Sequence, residues 1–161
     1  MTGQLERSEL EALAESFTAG FAGGGSHFAS CCTPDVGYED PLAVHPLRGL
    51  GELESHAATL RRAFPDLRLE RPSSPLGDAV FACIPWRALG THRGEIGRVP
   101  PTERFVTLSG LHWVELSDGL VRRARGFFDL YGAAMQLGLL PERGGLGEAA
   151  LLLLRGFGLR R

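Results

Sequence analysis

Apolar side chains recur at Leu10, Leu13, Phe17 and Phe21, the spacing of one helix face, and the run Gly23-Gly24-Gly25 predicts the end of that helix and a linker. A short second helix is predicted from His27 to Cys32, stopped by Thr33-Pro34. Weak alternation from Val36 to Asp40 predicts a short strand closed by Pro41. The set Leu50, Leu53, Ala57, Leu60 and Phe64 forms another apolar stripe, and Pro65 ends that helix. Leu67 and Leu69 alternate with Arg68 and Glu70, as in a strand with one wet face.

Beyond Gly77-Asp78, residues 79–89 form a long, mostly apolar strand in which Pro85 demands an edge position or a bulge. Residues 91–104 carry Gly94, Gly97, Pro100 and Pro101 and predict a loop. In the strand that follows, Val106, Leu108, Gly110, His112, Val114 and Leu116 share one face, because successive side chains alternate. That face is apolar except for His112, which must be satisfied within the core or face a cavity. Asp118-Gly119 predicts a hairpin turn into residues 120–128, and a last short helix runs from Asp129 to about Leu137, with Gly138 as its stop. Helices first and a meander last argue for an α+β domain.

Residues 141–161 differ in character. Gly144, Gly145 and Gly147 precede Leu151 to Leu154 and a basic end, Arg155, Arg160 and Arg161. Leucines are costly to leave in water, so this Leu-rich extension is expected to be ordered and buried on the domain or on a second subunit. The organisation is thus a domain over 1–140 and an extension over 141–161.

Composition narrows the classes. The chain has 161 residues, 43% of them hydrophobic, and a net charge of −2, with no basic tract for nucleic acid. All 17 basic residues are Arg, and Lys and Asn are both absent, which excludes a Schiff-base or phosphate-loop lysine and fits a G+C-rich bacterial genome. Cys31, Cys32 and Cys83 make an odd count without a C-x-x-C pair, so reduced, packed thiols are expected. No His/Asp/Glu cluster has metal spacing, and no metal is expected. Neither a leader nor a span of about 20 apolar residues is visible, so a cytoplasmic protein without membrane or nucleic-acid partners is expected.

An ordered set of motifs goes further: Tyr38-Glu39-Asp40-Pro41, Arg48-Gly49, Ala63-Phe64-Pro65-Asp66-Leu67, Gly90-Thr91-His92-Arg93-Gly94, Pro100-Pro101-Thr102, Asp118-Gly119, Phe128-Asp129-Leu130 and Gln136-Leu137-Gly138. In this order, over about 10–138, they resemble the SnoaL-like polyketide cyclases of the nuclear transport factor 2-like superfamily, which also holds ketosteroid isomerase and limonene-epoxide hydrolase. The resemblance implies a cone: a curved, mostly antiparallel sheet wrapped around three N-terminal helices and enclosing an apolar pocket, often in a homodimer.

It also implies site residues. Asp40 stands where the isomerases carry their general base, and His112 on the strand of their oxyanion donor. Base and donor together suit proton transfer beside a carbonyl. Burial raises an Asp pKa and lowers a His pKa, so both are expected to titrate near neutrality. Asp40 before Pro41 also suits a plain turn. The final-strand acid of the cyclases aligns with Gly126 and its companion His with Ala124, and the hydrolase Arg-Asp pair reads Arg125-Gly126, so that acid is missing. Asp129 is the nearest substitute, yet it equally suits a helix N-cap. The isomerase tyrosine is replaced by Phe17 or Phe21, and Tyr38 can supply a phenol. Phe17, Phe21, Tyr38, Trp86, Gly126 and Phe128 are the candidate pocket residues, with plain core the alternative for Trp86, and His92 is expected in solvent at the loop mouth.

The expected function is cofactor-free isomerase or cyclase chemistry on a hydrophobic, oxygenated small molecule such as a polyketide or steroid-like ketone. The alternatives are a non-catalytic ligand-binding or dimerisation module and, more weakly, an epoxide hydrolase.

Overall fold

The computed structural model describes residues 6–23 and 27–156. Helix α1 (Arg7–Gly23) buries Leu10, Leu13, Phe17 and Phe21, as its spacing requires. Gly24 and Gly25 of the expected linker lie outside the described residues. Helix α2 (His27–Cys31) is followed at once by strand β1 (Cys32–Glu39), so Thr33-Pro34 lies inside the strand and does not stop the helix. The missing N–H of Pro34 is tolerated because β1 pairs irregularly between Cys32 and Gly37. Strand β2 (Leu47–Arg48) leads into helix α3 (Gly49–Ala63), which buries Leu53 and Ala57.

Strands β3 (Arg68–Glu70), β4 (Leu76–Gly77), β5 (Phe81–Thr91), β6 (Phe105–Ser117) and β7 (Leu120–Phe128) complete a seven-stranded sheet in the order β2-β1-β7-β6-β5-β3, with β4 also on β5. Every pairing is antiparallel except β1 with β7, which is parallel. Pro85 is accommodated without a bulge. It pairs in register with Leu111 on one side, and on the other it falls between the contacts of β4 (Ala82, Cys83) and β3 (Arg87 to Leu89), a local edge where no donor is needed. The β6–β7 hairpin turns on Asp118 (φ 52°) and Gly119 (φ 76°), both left-handed as a two-residue primed turn demands.

One sheet face meets α1, α2 and α3 in a core of Leu13, Phe17, Phe28, Val36, Leu53, Ile84, Val114 and Val121. Short helix α4 (Leu130–Gln136) closes one end, held to β6 by Gln136, which accepts from the Thr107 N–H and donates to the Thr107 carbonyl. The loop after β5 is tied to the end of α3: the N–H groups of Arg93 and Gly94 both donate to the Ala63 carbonyl. A Cβ at Gly94 would fall 2.1 Å from the Arg62 carbonyl, so only glycine permits this approach. Contrary to expectation, His92 is not in solvent. It is fully buried against Phe64, with Nδ1 accepting from the Thr102 N–H at 3.2 Å.

The C-terminal extension does not pack on its own domain, the first of the two surfaces expected for it. Helix α5 (Leu146–Leu154) forms but buries no residue: Leu151, Leu152, Leu153 and Leu154 are 42%, 46%, 53% and 86% exposed. Arg160 and Arg161 lie outside the described residues. No helix among the described residues is long and apolar enough to cross a membrane.

Candidate functional site

A cavity of about 300 Å³ opens between the sheet, α3, α4 and the loop after β5. Its walls are apolar, with Leu60, Leu69, Val106, Leu108, Ala133 and Leu137 among them, and Ile96 and Val99 of the loop at its rim. The polar side chains reaching this wall are Tyr38, Asp40, His112 and Trp86.

Sheet register brings these groups together. His112 on β6 pairs with Gly126 on β7, and Tyr38 on β1 pairs with Ala124, two residues along the same face of β7. Asp40 follows the end of β1 and turns the chain: its Oδ1 accepts from the N–H groups of Leu42 and Ala43 at 2.7 and 2.8 Å. Its Oδ2 accepts from the Tyr38 hydroxyl at 3.0 Å and from His56 Nε2 at 2.8 Å. Tyr38 Oη also lies 3.2 Å from His112 Nε2.

Proton positions follow from this geometry. Burial alone would raise the Asp40 pKa, but the hydrogen bond and charge of His56, with the N–H groups of Ala43 and Leu42, outweigh it and hold the carboxyl below its ordinary value. An ionised carboxylate only accepts, so the single Tyr38 proton points at Asp40. Tyr38 Oη must then accept from His112, whose Nε2 carries the proton. Burial, then the Asp40 charge and hydrogen bond, keeps the phenol well above its ordinary pKa and therefore protonated.

His112 is neutral. Phe21 stacks on its ring at 5.1 Å and 12°, Phe17 meets it edge-on at 5.2 Å, and Trp86 lies 5.6 Å away. Burial pushes its pKa down to about 3, opposed only in part by the Asp40 charge. The expectation that Asp40 and His112 both titrate near neutrality is therefore wrong for both: burial dominates at His112, whereas hydrogen bonding overrides it at Asp40. With Nε2–H committed to Tyr38, the free ring atom of His112 is the acceptor Nδ1, which has no partner among the described residues.

The remaining candidates divide. Phe21, Tyr38, Trp86 and Phe128 line the cavity, whereas Phe17 sits behind His112 as core. Gly126 lies under the site: a Cβ there would come 3.0 Å from Tyr38 Oη, 3.1 Å from Asp40 Cβ and 3.4 Å from His112 Cδ2. The space that a side chain at position 126 would need is filled by Tyr38, Asp40 and His112. Asp129 is spent as the N-cap of α4, accepting from the Gly132 N–H at 2.8 Å on the exposed side. Among the described residues no three His, Cys, Asp or Glu side chains converge as metal ligands.

The sequence reading missed His56. The signal was present, since His56 falls three residues after Leu53 and four before Leu60, at the margin of the buried stripe of α3.

Several known proteins share this architecture. TsrD from Streptomyces laurentii superposes with a TM-score of 0.75 at 24% identity, over 84% of this chain and 99% of its own. AclR, a candidate hydroxylase from Streptomyces galilaeus, gives 0.71 at 21% identity over 94% of each chain. A protein of ketosteroid isomerase-like fold from Catenulispora acidiphila, solved with trimethylamine, gives 0.66 at 11% identity over 79% of this chain and 92% of its own. At such identities the likeness is one of fold. No curated protein matches the chain. The sequence itself matches the SnoaL-like polyketide cyclase family over residues 13–137, the span from α1 to the end of α4 that builds the cavity. On that match and this fold, the chain belongs to the SnoaL-like polyketide cyclase family.

Proposed function

We propose that the protein binds a hydrophobic, oxygenated small molecule, a polyketide or steroid-like ketone, and carries out cofactor-free acid–base chemistry on it, an isomerisation or cyclisation. The observation that carries this reading is the hydrogen-bonded chain Asp40–Tyr38–His112 at the wall of an apolar cavity, with His112 Nδ1 buried just beneath that wall and unpartnered among the described residues. In this reading His112 Nδ1, sealed beneath the wall as the side chains pack, is brought to the substrate by a small turn of the imidazole. It takes a proton from the carbon next to a carbonyl, and the electron pair of the broken C–H bond passes to the carbonyl oxygen. The imidazolium so formed is stabilised through Tyr38 by the Asp40 anion. Asp40 acts through Tyr38 as a positioning residue, and His56 holds Asp40. A pKa of about 3 leaves His112 unprotonated at neutral pH but weak as a base, so the step depends on the charge that develops on the enolate oxygen beside the imidazolium.

A second reading, a non-catalytic ligand-binding or dimerisation module, is favoured by two observations. Four hydrogen bonds, from Tyr38, His56 and the N–H groups of Leu42 and Ala43, already satisfy the Asp40 carboxylate and leave it little capacity for a substrate. The outer sheet face also exposes Phe81, stacked on Trp113, together with Leu111 and Phe127, an apolar surface suited to a homodimer. Free cysteines suit a cytoplasmic setting.

Solvent-deuterium exchange at the α-carbon of a bicyclic ketone such as 2-tetralone, followed by NMR, separates the two. Exchange above the buffer rate that is lost in His112→Gln supports the enzyme. Binding without exchange supports the module.

A further inference from the structure

Helix α5 is polarised along its axis instead of across it. Its acid, Glu148, lies in the first turn and accepts at 2.6 Å from the N–H of Gly144, ahead of the helix. Its last turn is Leu151, Leu152, Leu153 and Leu154. The sequence that follows carries Arg155, Phe157, Leu159, Arg160 and Arg161 and no acidic residue. Successive helix positions are turned by about 100°, so four leucines in a row clothe the whole circumference. None of the four is less than 42% exposed, and Leu146 is 93% exposed.

This arrangement suits lipid better than a second copy of the chain. A groove on a protein covers one stripe of a helix, and such a helix carries polar side chains on its other side. Helix α5 has no polar side, because Glu148 is the only polar side chain among its residues. A fluid bilayer surrounds an inserted helix end on every side. At about 1.5 Å per residue the helix reaches about 14 Å, less than half of the roughly 30 Å hydrocarbon layer, so it enters one leaflet without crossing. Stable attachment at a bilayer takes an apolar anchor together with a basic patch, and both lie here in one stretch. The lack of a spanning helix among the described residues, on which the expectation of no membrane partner stands, does not bear on a peripheral contact.

We propose that α5 and the basic sequence after it form a peripheral anchor for an anionic bilayer surface. Leu151 to Leu154 enter the acyl boundary, and the arginines that follow meet the headgroup phosphates. Only residues 140–145 separate Leu139, at the cavity wall, from Leu146. Docking through α5 therefore keeps the apolar cavity within about 25 Å of the phase in which hydrophobic molecules dissolve.

Flotation of the full chain with vesicles tests this, using phosphatidylcholine alone or mixed in equal parts with phosphatidylglycerol. The parent is expected to float with the mixed vesicles and to bind them roughly tenfold more tightly than the neutral ones. About 0.5 M salt should remove that advantage. Leu153→Gln combined with Leu154→Gln changes no charge and touches no buried residue, so it should keep the melting temperature and weaken binding to the mixed vesicles at least about tenfold. A parent chain left unbound by the mixed vesicles overturns the proposal. So does a double variant that binds as well as the parent, since basic residues elsewhere then account for the binding. A dimer of the parent that the double variant breaks assigns the leucines to a second copy and overturns it too.

Discussion

His56 Nε2 lies 2.8 Å from Asp40 Oδ2, a contact that ties α3 to the end of β1 directly beneath the cavity. The Asp40 side chain is only 3% exposed, so this pair is not screened as a surface pair would be. His56→Leu leaves the carboxylate with Tyr38 and two backbone N–H groups. A loss of about 1–3 kcal/mol in urea unfolding at pH 7 is expected, together with an upward shift of the Asp40 carboxyl titration followed by NMR. An unchanged titration would mean that His56 is incidental.

Acid should destabilise the protein through His112 in particular. The pKa falls from an ordinary 6.5 to about 3 on folding, so between those values the unfolded chain binds the extra proton and stability rises with pH. The slope from this group approaches about 1.4 kcal/mol per pH unit. Asp40, held below its ordinary 3.8, adds stability that is present above that value and lost below it. His112→Gln keeps a partner for Tyr38 but cannot titrate. Its stability should change less between pH 7 and pH 5 than that of the parent, and equal changes would contradict the assignment.

Gly126 keeps the cluster closed. A methyl group there meets Tyr38 Oη at 3.0 Å and Asp40 Cβ at 3.1 Å, so Gly126→Ala should cost about 1–3 kcal/mol and separate Tyr38 from His112. A crystal structure of the variant with the 3.2 Å contact intact would show that β7 yields instead. Gly126→Asp adds a second buried carboxylate beside Asp40 and should raise the apparent pKa of the pair.

Sequence periodicity revealed most of the fold, and the reason lies in which residues it uses. The alternation around His112, the stripe of α3 and the Asp118-Gly119 turn each encode one element through local physics. The ordered motifs are largely structural. Asp66 accepts from the Thr91 N–H and hydroxyl, Gly94 fits under Arg62, and Gln136 clamps Thr107, so the family pattern marks how the cavity is built, not what it does. Hidden from the sequence were the relations that pairing register creates: Gly126 beneath Tyr38, Asp40 saturated by His56, and the tautomer of His112. His92 misled because a loop position suggests solvent, whereas the loop folds back onto α3.

The exposed α5 gives a prediction opposite to that drawn from its leucines alone. Since α5 buries nothing, a chain ending at Leu140 should keep the parent melting temperature to within a few degrees and lose only minor contacts such as Arg143 over Tyr131. A large fall in melting temperature would show that α5 packs on the domain or on a second copy.

The central claim is that Asp40, acting through Tyr38, fixes His112 as a neutral imidazole with its proton on Nε2 and a bare Nδ1. Nitrogen-15 NMR of the histidine rings between pH 5 and 8 reads this directly. The account predicts a His112 ring protonated only at Nε2, unchanged across that range, and redistributed between tautomers in Tyr38→Phe. An imidazolium, or a proton on Nδ1, would contradict it.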